Sequence, residues 1–144
     1  LNTHHVFLRE ELPKVSDYIL KIMTVHGGRH SELFQVHKLF NQLRAELEQH
    51  LVKEEVFVFP LIKQYKQTNL PELKEKAIKA VNDLEQEHTG AGDIIKELRE
   101  VTNHYTLPED ACKTYEITYQ KLKEVELDIF NHIHLENNIL FKII

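Results

Sequence analysis

The 144-residue chain has no tryptophan, one cysteine, one methionine, four glycines and four prolines. A lone cysteine, Cys112, excludes an internal disulfide and fits a reducing compartment. Scarce glycine and proline beside plentiful Leu, Glu, Lys and Ile disfavour a turn-rich sheet and favour helices on short turns. No apolar run reaches the roughly 20 residues of a membrane span, and no charged-then-apolar leader opens the chain. The expectation is a cytoplasmic protein with no membrane partner. The formal net charge is −5 with both signs interspersed, so no basic patch offers phosphate contacts and nucleic acid is not an expected partner. The length suits one domain with a full hydrophobic core. What the chain has in excess is histidine, ten in all.

Punctuation falls at Gly27-Gly28, at Asn69-Leu70-Pro71 and at Leu107-Pro108-Glu109-Asp110, leaving four segments of bundle-helix length. Each repeats apolar residues at alternating steps of three and four, which hold one helix face against a partner. The first stripe is Leu8, Leu12, Val15, Ile19, Ile22, and the second is Leu33, Val36, Phe40, Leu43, Leu47, then Phe57 and Leu61. The third is Ala77, Val81, Leu84, then Ala91, Ile95, Leu98. The fourth is Tyr115, Thr118, Leu122, Val125, Ile129, then Leu140 and Ile143. The fold class expected is all-α, an up-down-up-down four-helix bundle. Pro13 and Pro60 each predict a kink or a local restart.

The gaps in the stripes carry the functional signal. Continuing the alternation puts His50 and Glu54 of HLVKE, and His132 and Glu136 of HIHLE, on buried seams. His88 falls between Leu84 and Ala91, and one step back from Leu8 gives His5. At about 1.5 Å of rise per residue, counting up and down the bundle brings all six to one level within roughly a turn. A His and Glu four residues apart lie on one helix face, so each HxxxE presents two inward ligands. Buried, facing carboxylates repel and are costly unless cations lie between them. Four imidazoles and two carboxylates exceed one tetrahedral zinc and suit two bridged metals, for which iron is acceptable. Ferritin-like di-iron bundles use four Glu and two His. The opposite balance here makes a less anionic site, fitted to binding small ligands over oxidising iron for storage.

Other polar residues read differently. His26 shares the first stripe but lies about 30 Å from His5 along a continuous helix, which keeps it from the same metals. Cys112 starts the fourth segment at a similar remove. His30, His37, His104 and His134 read as solvated, and Glu46 and Glu87 as surface charges, the alternative for these two being a role in supporting a ligand or lining a channel.

In His5, His26, HLVKEEVFVFP, Glu87-His88 and HIHLENNILF, in that order and spacing, the chain resembles the hemerythrin-like di-iron family, most closely its repair-of-iron-centres branch. The resemblance implies an oxo- or hydroxo-bridged pair of iron ions, with His5, His50, His88 and His132 as terminal ligands and Glu54 and Glu136 as bridges. It implies cytoplasmic repair of iron–sulfur clusters damaged by nitric oxide or oxidants, with damaged cluster proteins as partners and nitric oxide, oxygen or peroxide as small ligands. A reversible oxygen carrier or sensor and a nitric oxide-reducing enzyme are the competing readings. His26 also matches a histidine recurrent in that branch. The branch usually carries a short cysteine-containing N-terminal domain, so residues 1–144, opening on Leu1, are expected to be the C-terminal di-iron domain of a longer protein.

Overall fold

A computed structural model describes the backbone of residues 2–143 and the side chains of residues 6–138. Its described residues form α1 (Asn2–His26), α2 (Glu32–Lys53), a π-helical turn (Glu54–Val58), α3 (Phe59–Thr68), α4 (Pro71–Val101) and α5 (Lys113–Ile143). Because α2, the π turn and α3 follow without a break, these elements make four antiparallel rods. α1 packs on α2 and α5, and α4 packs on α2 and α5, which closes a four-helix bundle.

The connections follow from local chemistry. At the first, a Cβ on Gly27 would lie 2.4 Å from the Met23 carbonyl oxygen, so only glycine permits that close approach. At the second, Asn69 takes the left-handed conformation at φ 54° and Pro71 opens α4, where its missing N–H costs nothing. The third begins earlier than the proline at 108 suggests, because α4 ends at Val101. Thr102 Oγ1 donates to the Leu98 carbonyl at 2.7 Å and accepts from the Tyr105 N–H at 3.1 Å. Asn103, His104 and Tyr105 then all take positive φ, and burial of the Tyr105 ring anchors the turn.

The stripes pack as their spacing predicts, with two differences. Every named stripe residue from Leu8 to Leu47, from Leu61 to Leu98 and from Tyr115 to Ile129 is buried. Leu140 and Ile143 lie outside the described side chains. Phe57, however, is exposed, and its neighbour Val58 is fully buried. The π turn explains the exchange. The Phe59 N–H reaches back five residues to the Glu54 carbonyl, so one extra residue enters the turn and the inward position moves from 57 to 58. It also widens the helix just before Pro60, whose ring would otherwise press on the preceding turn and whose nitrogen has no proton to donate. At Pro13 no restart occurs, and α1 continues to His26.

The core is divided in two. One apolar cluster includes Leu8, Leu47, Leu51, Ala91 and Ile129, and a second comprises Val58, Leu61, Ile62, Ala77, Ala80, Val81 and Leu84. Along the rod of α2 and the π turn the polar pair His50 and Glu54 interrupts the apolar run at this boundary, and on α4 His88 falls between the two clusters. If the π turn sets the inward register, Val58→Ala will destabilise the metal-free protein by about 2 kcal/mol while Phe57→Ala changes stability by no more than about 0.5 kcal/mol. Urea unfolding of both variants checks this, and the reverse order would contradict it.

Candidate metal centre

The polar layer is built from α2, α4 and α5. Glu54 and Glu136 have no exposed surface, His132 is 2% exposed and His50 4%. One carboxylate sits at the hinge between α2 and the π turn, the other one turn beyond His132 on α5. His88 enters from α4 with 9% of its side chain exposed.

Glu136 faces two ways. Its Oε1 lies 3.3 Å from His88 Nε2 and 3.5 Å from His50 Nε2, while its Oε2 lies 2.6 Å from His132 Nε2. Glu54 Oε1 meets His50 Nε2 and lies 3.6 Å from His132 Nε2. Ligand atoms of His50, Glu54, His88 and Glu136 all fall within 4.8 Å of one another, a grouping able to hold a metal ion. His50 Nε2, both ring nitrogens of His88 and both carboxylate oxygens of Glu136 are buried without a hydrogen bond. Carboxylate oxygens and imidazole nitrogens crowded together in a core are costly unless positive charge lies among them, so the residues fit a metal centre.

Of the six residues expected at the centre, the structure brings together His50, Glu54, His88, His132 and Glu136. The His5 side chain lies outside the described residues. His26 sits at the opposite end of α1, with Nε2 3.2 Å from Cys112 Sγ and its ring edge-on to Tyr115 at 5.2 Å. His30 is tied to Asp110 at 2.8 Å instead of standing free in solvent.

Sequence reasoning favoured a surface charge at Glu87 over a role supporting a ligand or lining a channel, and the structure gives it the supporting contact. Its Oε2 accepts a 2.6 Å hydrogen bond from His50 Nδ1, and its Oε1 accepts one of 3.0 Å from Lys53 Nζ. The only signal for it was adjacency to His88, which places it on the flank of α4 nearest α2. A cavity of about 470 Å³ opens from this flank to His50, His88 and His132, with Glu46, Asp83 and Glu87 on its wall.

In the metal-free protein the layer holds protons. Burial disfavours an imidazolium at His50, but the Glu136 and Glu54 carboxylates outweigh it and raise its pKa to about 10. The same contest lifts His132 to about 9. Glu136 is driven well below the ordinary carboxylate range, because His132, His50 and His88 overcome its burial. Against its partial burial, His50 and then Lys53 similarly hold Glu87 low.

The signs give a pH profile. Raised histidines contribute stability that is full below their ordinary value of 6.5 and fades as pH climbs through 9 to 10. The lowered carboxylate contributes above its ordinary 4.5 and loses that contribution on acidification. Urea unfolding with chelator present should therefore find metal-free stability greatest between about pH 5 and 6.5 and falling steadily toward pH 10. Metal binding at neutral pH should release protons. Stability rising toward pH 10 would contradict the profile.

Comparison with known proteins agrees with this geometry. The family model described as the hemerythrin HHE cation binding domain matches residues 1–144. The iron-sulfur cluster repair protein ScdA of Staphylococcus haemolyticus is 33% identical over 139 residues, covering 96% of this chain and 61% of that protein. The probable iron-sulfur cluster repair protein of Haemophilus influenzae is 36% identical over 135 residues, covering 92% and 56%. The repair protein YtfE of Escherichia coli is 33% identical over 138 residues, covering 96% and 60%. The chain thus spans about three-fifths of the length of these relatives. No helix among the described residues is long and apolar enough to cross a membrane. A helical bundle, a buried histidine–carboxylate layer and a match along the whole sequence lead to one conclusion: the chain belongs to the hemerythrin HHE cation-binding family.

Proposed function

We propose that this chain is a non-haem di-iron domain that supports repair of iron–sulfur clusters damaged by nitric oxide or oxidative stress. It would act in the cytoplasm, by donating iron or by reacting with nitric oxide or peroxide. The observation that carries the two-metal reading is the divided aim of Glu136, Oε1 toward His50 and His88 and Oε2 toward His132. One carboxylate addressing separate imidazole groups is the arrangement that suits a bridge between two cations. Glu54 would supply the second bridging carboxylate, with His5 as the sixth ligand of the set. Bound iron contributes redox change and affinity for small ligands. The protein orients the imidazoles and keeps bulk water from the carboxylates.

The repair role rests on the names of the relatives, which describe longer proteins. The cavity favours iron donation over oxygen carriage. Asp83 and Glu87 on its wall suit passage of a hydrated cation. Proteins carrying damaged clusters are the partners this reading requires.

Metal analysis with an optical spectrum tests the centre. Wild type should hold about two irons per chain, Glu54→Ala and His132→Ala should lose most of that iron, and His26→Ala should keep it. Iron retained in the first two, or lost in the third, would overturn the assignment. Repair is tested by offering the iron-loaded chain to an apo cluster protein. Restoration faster than with an equal amount of free iron supports donation, and no advantage counts against it.

A further inference from the structure

Glu87 stands 38% exposed on the cavity wall, yet its carboxylate is held at both ends. Lys53 fixes one oxygen at 3.0 Å, and the other receives the 2.6 Å bond from His50 Nδ1. With a proton held on Nδ1 by Glu87, Nε2, which faces Glu54 and Glu136, is the nitrogen of His50 available to a metal once its own proton has left. A carboxylate on the far nitrogen also makes the imidazole a stronger donor. His88, which faces the same oxygen of Glu136, has no hydrogen bond on its Nδ1. The two imidazoles of this grouping are therefore unequal, one braced and one not.

We propose that Glu87, anchored by Lys53, is a positioning residue that orients His50 and sets how tightly the metal position framed by His50, Glu54, His88 and Glu136 holds its ion. This rests on the di-iron reading of the same centre and adds to it a residue that ligates nothing. Its effect is local, because Glu87 meets His50, whereas the neighbouring position is framed from His132. Glu46 provides the control. It carries the same charge on the same cavity wall, while the His50 Nδ1 position is taken by Glu87.

The test is anaerobic binding of ferrous iron, measured by competition with a coloured chelator, on wild type, Glu87→Ala, Glu87→Gln and Glu46→Ala. Mössbauer spectra of the loaded proteins distinguish the two irons. Loss of such a carboxylate partner typically weakens binding about 10- to 100-fold. Glu87→Ala should show that loss for one iron and shift only that iron's doublet. Glu87→Gln, which keeps an oxygen acceptor, should lose less, and Glu46→Ala should match wild type. An equal loss in Glu46→Ala would assign the effect to cavity charge and overturn the proposal, as would equal weakening of both irons in Glu87→Ala. Wild-type affinities throughout would overturn it too, leaving the di-iron reading intact. Wild type binding no iron would instead remove the di-iron reading, and the proposal with it.

Discussion

Two fully buried carboxylates, Glu54 and Glu136, face a common set of imidazoles in the middle of a leucine-rich bundle. The rest of the structure depends on that contact. Moving an ionised carboxylate from water into a core costs several kcal/mol unless positive charge meets it, and breaking such a pairing typically costs about 3–5 kcal/mol. Without metal, protons on His50 and His132 supply the charge, which is why burial fails to depress those histidines. With metal, cations take the protons' place. Either way the layer stays charged and compensated, and the apolar clusters on both sides keep water from screening it.

Holding four helices at the required level is the work of the apolar stripes. Their three-four spacing was legible in the sequence because burial of one helix face leaves a direct trace in residue type. The gaps were legible for the same reason: His50, Glu54, His88, His132 and Glu136 interrupt runs that are otherwise apolar. The π turn left no comparable trace. Phe57 and Val58 are both apolar, so residue type could not say which one faces inward. That choice is made by a five-residue backbone hydrogen bond beside a proline. The early end of α4 was hidden likewise, since the side-chain bonds of Thr102 and the buried ring of Tyr105, not the proline at 108, decide it.

Glu87 illustrates a different limit. A surface charge was the favoured reading over a ligand-supporting role because helical spacing reports only which side of its own helix a residue occupies. Its partners, His50 and Lys53, lie on another rod, and contact with them depends on how α2 and α4 dock. His26 shows the opposite case. Its distance from the centre follows from the rise of α1, and the structure puts it beside Cys112 at the other end. Secondary structure thus carried most of the candidate centre, while its supporting hydrogen bonds needed the tertiary fold.

The central claim is that the Glu54–Glu136 layer exists to hold two metal ions side by side. Crystals of iron-loaded protein, measured on both sides of the iron absorption edge, test it most directly. The account predicts two anomalous peaks between Glu54 and Glu136, one next to His50 and His88 and the other next to His132. A single peak, or iron bound elsewhere with protonated histidines filling the layer, would contradict it.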